Sequence, residues 1–324
     1  MLLGMIFALF INFVTSLFWV WVMMDLSTIF LIPFLCCGMS LTGMNKWYKG
    51  SATYFVVQFM GSASVLYSSL TLWESSLSVI SLLFLVSGFM LKLGLFPLHF
   101  WVPRAFANFH YPAIYFTGVV QKVFIIFALP YVDSVNFTNK LIGLSAFFSI
   151  LYGPVVMFNC TNIKTFLGYS SINNTGLMVA CCIVTKYLFV FYAICYSVSM
   201  VFLLMILGVC MSDNIKEMGA SLPNFYFWGF LSLGSSFSGF PPFTDFCAKF
   251  AVVTVYVDYK MWIFVLAVLL SSLVNLLAWI WVTVSIIRAM PAEDYCGPTL
   301  VNKCVNNGCI LWNAMGGMLL LYLY

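Results

Sequence analysis

The sequence has 324 residues, of which 64% are hydrophobic and 7% are charged, and its formal net charge is +4. A soluble domain carries roughly 25% charged residues, so this chain has too little polar surface to cover a water-soluble globule. The mean hydropathy of +1.07 points to a lipid bilayer as the solvent. The small positive charge is spread over loops and does not predict nucleic-acid binding.

The N-terminal segment is apolar from Met1 to Met24. It lacks the basic start and small-residue cleavage site of a secretory signal, and it lacks the Arg- and Ser-rich composition of a transit peptide. We therefore expect a retained membrane helix and synthesis directly into an inner membrane. The mitochondrial inner membrane is the first expectation, and the bacterial inner membrane is the alternative.

Apolar stretches separated by charged residues or by Pro, Gly and Asn predict an all-α polytopic membrane protein of about eleven transmembrane helices. With the N-terminus on one side, loops on that side carry seven Lys and Arg residues against three opposite, which favours the cytoplasm or matrix. The approximate predicted spans are 3–24, 26–44, 52–72, 77–101, 112–131, 141–160, 165–184, 187–211, 224–257, 261–288 and 309–324.

Glycine and proline interrupt the fourth and ninth of these stretches. The interrupting residues are Gly94 and Pro97 in the fourth, and Gly239, Pro241 and Pro242 in the ninth. Because proline removes a backbone hydrogen bond and clashes with the preceding turn, both helices are expected to be broken.

Interrupted helices at corresponding places in two halves predict inverted repeats with an ion site near the membrane midplane. We place the repeats at about 1–131 and 141–290 within a single membrane domain spanning 1–324, followed by a C-terminal helix at about 309–324. Two unrelated proline kinks are the alternative explanation.

Four ionisable residues lie within or at the edge of apolar stretches, namely Asp25, Lys92, Lys122 and Lys249. A charge at the bilayer centre costs about 2.5–3.5 kcal/mol on insertion scales, so such groups persist inside a bundle, paired or beside water. Small rearrangements can then change their proton occupancy. On spacing alone, Lys92 could instead reach the interface, and Asp25 could cap a helix at the junction of two spans.

The remaining candidates for chemistry are His99 and the cysteines. His99 could relay protons or hydrogen-bond a loop carbonyl. Most of the eleven cysteines lie in apolar runs, and the tail group of Cys296, Cys304 and Cys309 matches no zinc or iron–sulfur spacing. No glycine-rich phosphate loop follows a strand. We expect neither a metal nor a cofactor site in this chain.

Four motifs resemble, in order, those of the antiporter-like membrane subunits of NADH:ubiquinone oxidoreductase (respiratory complex I), within the chain 2 family. The similarity extends over about residues 19–290. The motifs are WVMMDL at 21–26, KLGLFPLHFWVP at 92–103 followed by Gln121-Lys122, LGYSSI at 167–172, and GFPPFTDFCAK at 239–249.

The resemblance implies a fold with two inverted five-helix repeats, each containing a broken helix, and eleven crossings would match the form that lacks three N-terminal helices. It places Asp25 as the acidic partner of Lys92, so it favours a buried acid there. Lys122 corresponds to the central lysine, and Lys249 corresponds to the lysine of the second broken helix.

The implied function is proton translocation, coupled to NADH oxidation and quinone reduction elsewhere in the complex. NADH, FMN, iron–sulfur clusters and ubiquinone would be bound by other subunits. The partners would be other membrane-arm subunits and the lipid bilayer, and protons would be the only small substrate.

The sequence departs from the family pattern at four positions. Asp25 stands where the family usually has Glu, and Arg104 stands where Glu is common. Asn174 stands where His is common, and Asp245 stands where the family has Gly. One rival interpretation is a subunit of a multisubunit cation/proton antiporter. Gln121-Lys122 without a preceding Ala-His-Val-Glu-Ala-Pro argues against it. The other rival is a structural subunit that does not pump, which Asn174 and the shortened acid at Asp25 would suit.

Overall fold

The structure is a computed structural model that describes residues 2–10, 16–36, 44–73, 79–131, 136–210, 212–241, 243–289 and 300–323. Within these ranges the regular elements are helices, apart from an isolated bridge between Asn162 and Asn214. The helices are α1 (Leu2–Phe10), α2 (Leu17–Cys36), α3 (Met44–Trp73), α4 (Val79–Leu93), α5 (Trp101–Asn108), α6 (Tyr111–Tyr115), α7 (Gln121–Phe127), α8 (Asn136–Met157), α9 (Ile163–Val184), α10 (Lys186–Leu207), α11 (Ile215–Ser221), α12 (Asn224–Ser238), α13 (Thr244–Asp258), α14 (Trp262–Ala289) and α15 (Leu300–Leu323).

Several helices are long and apolar enough to cross a bilayer. Among the described residues, five meet both criteria: Leu17–Cys36, Phe137–Met157, Ile163–Val184, Lys186–Leu207 and Trp262–Ala289. The shorter segments Val79–Leu93 and Tyr111–Phe127 are also apolar. Because a helix satisfies its own backbone hydrogen bonds, it suits hydrocarbon, and the chain is an all-α membrane protein.

The first compact unit comprises residues 1–149 and 171–186. In it α3 packs against α2, α4 and α5, while α1 packs against α2 and α7. Small residues bring α3 and α4 close together, since a Cβ on Gly88 would fall 2.6 Å from Val65 Cγ2. This contact holds the lysine-bearing end of α4 against the polar residues of α3.

The second unit comprises residues 150–170 and 187–324. In it α14 packs against α11, α12 and α13, and α15 packs against α12 and α13. Trp279 of α14 is 1% exposed and stacks on Phe237 near the end of α12, with ring centroids 5.6 Å apart. The C-terminal end of α12 is therefore held against the middle of α14.

At both places where a break is predicted, a helix ends at a glycine with positive φ. Gly94 follows α4 with φ of 70°, and Gly239 follows α12 with φ of 82°. At the first break the N–H groups of Gly94 and Leu95 both donate to Met90 O, at 2.9 and 3.0 Å. Glycine adopts this left-handed conformation without a Cβ penalty, so each helix ends at its glycine.

The two prolines nearest these glycines lie in the turns that follow, Pro97 between α4 and α5 and Pro241 between α12 and α13. Pro242 lies outside the described residues. At the second break the N–H of Gly239 donates to Ser236 O at 2.9 Å, and that of Phe240 to Ser235 O at 3.0 Å. As at the first break, the N–H groups of the glycine and of the next residue donate to carbonyls of the preceding helix, and the chain then begins a new helix.

Two predicted span boundaries are wrong. The boundary placed near residue 25 falls inside α2, which runs from Leu17 to Cys36. Asp25 is therefore a mid-helix residue, because an acid with a buried partner does not interrupt a bilayer helix. The last helix, predicted at 309–324, begins at Leu300 and has 24 residues. The first turns of this helix are polar, so the apolar pattern did not indicate where it begins.

Candidate functional site

The first site feature is a buried ion pair. Lys92 Nζ in the last turn of α4 donates to Asp25 Oδ1 in α2 at 2.7 Å, and the two side chains are 0% and 21% exposed. Asp25 lies inside α2 and not at a helix end, and the Lys92 side chain is enclosed by protein. The partnership implied by the family resemblance is present.

The helix break beside Lys92 exposes backbone carbonyls that need donors. The indole of Trp101 at the start of α5 donates to Leu91 O at 3.0 Å. The amide of Gln58 in α3 donates to Lys92 O at 3.3 Å. Because these groups satisfy the end of α4, the break can persist at membrane depth with Lys92 fixed beside it.

Polar side chains lie between Lys92 and the central lysine. Gln58 stands one helical turn from Tyr54 on the same face of α3. The Tyr54 hydroxyl donates to Gln121 Oε1, and Gln121 precedes Lys122 in α7. Tyr54 is 0% exposed, so this hydrogen bond is shielded from solvent. Gln58, Tyr54 and Gln121 thus form a polar path between the surroundings of the two lysines, with a hydrogen bond at each end and one helical turn between Gln58 and Tyr54.

Two buried atoms along this path, Gln58 Oε1 and Gln121 Nε2, have no hydrogen-bond partner among the described residues. Buried polar atoms of this kind are normally satisfied by ordered water. The path therefore offers places where water molecules would complete a hydrogen-bonded chain.

Lys122 is 1% exposed, and its ammonium donates to Ser171 Oγ of α9 at 3.3 Å. A π-helical segment, Phe116–Val120, comes directly before α7 and widens the helix there. Lys122 takes part in neither of the ion pairs found among the described residues. A lysine with a neutral partner in an apolar environment is well suited to bind and release a proton.

In the second unit, Lys249 of α13 reaches back to the preceding half-helix. Its ammonium donates to Phe237 O at 2.8 Å, and the Asn275 amide of α14 donates to the same carbonyl at 2.7 Å. Lys249 is 6% exposed. A cation at a helix C-terminus interacts favourably with the helix dipole, so Lys249 stabilises the end of α12.

Asp245 lies in the first turn of α13, one turn before Lys249, and is 7% exposed. The Ser199 hydroxyl of α10 has two acceptors for its one hydrogen, this carboxylate at 2.9 Å and Cys195 O of its own helix at 2.8 Å. The indole of Trp312 in α15 lies 3.4 Å from the same hydroxyl and donates to it. Helices α10, α13 and α15 therefore meet at this buried acid.

His99 is buried in the turn between α4 and α5. It stacks against Phe96 and lies close to Phe100, with ring centroids 5.6 and 4.3 Å away, and the backbone of Pro97 is its polar neighbour. This position agrees better with a hydrogen bond to the loop than with a relay between lysines.

In the part of the chain that the structure describes, no group of three or more His, Cys, Asp or Glu side chains is placed to hold a metal ion. Of the tail cysteines, Cys309 is buried, Cys296 lies outside the described residues, and nothing is described of the Cys304 side chain.

Sequence reasoning missed Tyr54 and Gln58 as site residues, and it considered Asp245 only as a departure from a pattern. The available signal for the first two was their spacing, since two polar residues one turn apart in an apolar helix share a buried face. For Asp245 the signal was an acid in the first turn after a predicted break.

Residues 51–275 match the family model described as NADH:quinone oxidoreductase/Mrp antiporter, TM. NADH-ubiquinone oxidoreductase chain 2 of Lumbricus terrestris is 29% identical over 284 residues, covering 85% of this chain and 81% of the relative. NADH-quinone oxidoreductase subunit N of Laribacter hongkongensis is 29% identical over 265 residues, covering 75% of this chain and 52% of the relative.

Solved structures share the fold. A chain of respiratory complex I from Thermus thermophilus matches with a TM-score of 0.81 at 19% identity, covering 98% of this chain and 77% of that chain. A chain of the Mrp complex from Dietzia sp. matches with a TM-score of 0.73 at 14% identity, covering 88% and 58%.

Proposed function

Because the chain belongs to the NADH:quinone oxidoreductase/Mrp antiporter family of transmembrane proteins, we propose that it is a proton-translocating subunit of the membrane arm of respiratory complex I. Its relatives named chain 2 and subunit N support this assignment. NADH oxidation and quinone reduction would take place in other subunits, which would hold NADH, FMN, iron–sulfur clusters and ubiquinone.

The observation that carries the proposal is the ion pair of the buried Lys92 with Asp25, in the same unit as the buried Lys122, with the polar side chains of Gln58, Tyr54 and Gln121 between the two lysines. Membrane proteins rarely retain such groups away from water without a role in moving ions or protons. Here the groups lie on separate helices, so a shift of one helix changes the distance between opposite charges.

In the proposed mechanism, Lys92 gains or loses a proton as Asp25 approaches or retreats. Moving a charge pair from about 4 to about 8 Å at an effective dielectric near 20 changes its energy by roughly 2 kcal/mol. Lys122 accepts the proton that leaves Lys92 and passes it on. Lys249 exchanges protons with one membrane side or with a neighbouring subunit.

The proposed setting is the mitochondrial inner membrane, where the chain would contact other membrane-arm subunits and lipid. It would cross the bilayer about eleven times, with two inverted repeats at about 1–131 and 141–290. The paired glycine breaks support this arrangement, since each separates two half-helices of which one carries a buried lysine.

The test is Lys122→Met in the assembled complex, reconstituted into sealed vesicles, with proton translocation measured against NADH oxidation. Methionine fills a similar volume and cannot carry a proton. We expect a lower ratio of protons moved to NADH oxidised, or slower coupled turnover. The matched control is Lys140→Met, because Lys140 lies in the same unit and is exposed on α8.

An unchanged ratio and rate in the Lys122→Met complex would show that the chain is a structural subunit. The second candidate, a cation/proton antiporter subunit, is favoured by the family description, which also names Mrp antiporters. Purification separates it from the first, because a complex I subunit leaves the membrane within an NADH-oxidising assembly.

A further inference from the structure

The second broken helix contains a buried acid that the roles assigned above leave unused. Asp245 is 7% exposed, and its carboxylate lies 2.9 Å from the Ser199 hydroxyl, which can donate either to it or to Cys195 O. An ionised or neutral carboxyl group at this depth is costly unless it is hydrogen-bonded or faces a charge.

Lys249 supplies the facing charge. It lies one turn after Asp245 on α13, so the two side chains project from neighbouring positions on one face. The two groups are close enough to interact electrostatically, yet the hydrogen-bond partner of each is neutral. Asp245 contacts the Ser199 hydroxyl, and the Lys249 ammonium donates to Phe237 O. Side chains at this spacing on a helix are within the range that a side-chain rotation or a bridging water spans.

We propose that Asp245 is a proton-binding residue that exchanges a proton with Lys249, giving the second broken helix an acid–lysine couple of its own. In the exchange, the Lys249 ammonium gives its proton to the Asp245 carboxylate, leaving a neutral amine and a neutral carboxylic acid. The reverse transfer restores both charges. The net charge of the couple is the same in both states, which limits the cost of the step inside the membrane.

The surroundings of the couple suit proton exchange. Asn275 Oδ1 is buried and has no hydrogen-bond partner among the described residues, while its amide shares Phe237 O with Lys249. On the other side, the Trp312 indole donates to Ser199 and holds that hydroxyl close to the acid. A metal cation is disfavoured here, because the Lys249 ammonium would repel it.

The other titratable groups near the couple are thiols. Cys195 of α10 lies within electrostatic reach of Asp245, and Cys247 of α13 lies near Cys195. The charged residues of the packed helices α14 and α15 are distant along their axes: Arg288 is in the last turn of α14 and Lys303 in the first turn of α15. Lys249 is therefore the group that sets the charge of Asp245.

A competing role for Asp245 is helix capping, since an acid in the first turn also favours the helix dipole. Substitution by asparagine tests this alternative. The asparagine side-chain oxygen can still accept a hydrogen bond from Ser199, and asparagine is still favourable at the start of a helix. It cannot bind a proton. Asp245→Asn therefore removes the proposed function and keeps most of the capping function.

The inference rests on the proposed function, so it is tested in the same assembled complex in sealed vesicles of phosphatidylcholine. Proton translocation and NADH oxidation are measured across a pH series for Asp245→Asn, Asp245→Glu and the control Asp258→Asn. Asp258 ends the same helix and is exposed. We expect a lower ratio of protons to NADH and a changed pH profile for Asp245→Asn, partial recovery for Asp245→Glu, and wild-type behaviour for Asp258→Asn.

A wild-type ratio and pH profile in the Asp245→Asn complex would overturn the inference and leave Asp245 as a capping residue. Lys122→Met, assayed alongside, shows whether the proposed function fails as well, because it acts in the other unit. If the Asp245→Asn complex does not assemble, the Asp245→Glu complex decides the question. A shift in the pH midpoint of its proton translocation supports proton binding at this position, and an unshifted midpoint refutes it.

Discussion

Removal of the acid from the Lys92–Asp25 pair should destabilise the protein strongly. At 2.7 Å and an effective dielectric near 20, two unit charges attract by about 6 kcal/mol before desolvation is subtracted. Lys92 is fully buried, so Asp25→Asn leaves its charge without compensation. Loss of one partner of a buried pair costs about 3–5 kcal/mol. Because Asp25 is 21% exposed, we expect the lower end of that range.

The assay is the temperature at which the purified complex releases this subunit, followed by native electrophoresis. The matched control is Asp213→Asn, which breaks a pair of similar length between Lys164 and Asp213. That pair is 2.8 Å long, but its side chains are 11% and 42% exposed. Exposed pairs contribute about 0–1 kcal/mol, so the control should change the release temperature little.

A double variant separates stability from function. Asp25→Asn combined with Lys92→Met removes both charges, and replacing both members of a buried pair is often neutral. We expect most of the lost stability to return while proton translocation remains impaired. The reasoning is refuted if Asp25→Asn behaves like Asp213→Asn, or if the double variant is no more stable than Asp25→Asn.

Two further substitutions test the polar path and the first break. Tyr54→Phe should cost about 1 kcal/mol by leaving Gln121 Oε1 without its donor, and it should slow coupled proton translocation. Tyr67→Phe on the exposed face of α3 is its control, and equal rates in the two variants would exclude Tyr54 from the path. Gly94→Ala should cost about 1–2 kcal/mol or more, because φ is 70° and the new Cβ would collide with Val102 Cγ2. Thermal release of the subunit measures this cost, and Val102→Ala in the same chain should remove only the collision.

The helix breaks could be predicted from sequence because their causes are local. A glycine followed within a few residues by proline ends a helix whatever packs against it. The burial of Lys122 was also predictable, since a long apolar stretch leaves few places for a lysine to reach water, whereas the spacing left open whether Lys92 reaches the interface. The mid-helix position of Asp25 could not be predicted in this way. An acid between two apolar stretches looks like a boundary until the partner that neutralises it is known.

The polar path needed tertiary structure. Tyr54 and Gln58 have no distinguishing neighbours in sequence, and their partners lie in α7 and α4. Likewise, nothing in the sequence indicates that the Lys249 ammonium caps the preceding half-helix. These contacts depend on which helices are adjacent, and a pattern of apolar stretches leaves that open because nearly every helix face is apolar.

The lysines beside the two breaks have different partners, so each lysine would respond to a different helix movement. Lys92 precedes its break and pairs with an acid on α2, so its charge environment depends on the distance between two helices. Lys249 follows its break and binds a carbonyl of the preceding half-helix, while its acid lies on its own helix. Movement of α2 against α4 would therefore change Lys92 directly. Lys249 would respond instead to the gap between α12 and α13, because opening that gap removes the Phe237 carbonyl and leaves Asp245 as the nearest group of opposite charge.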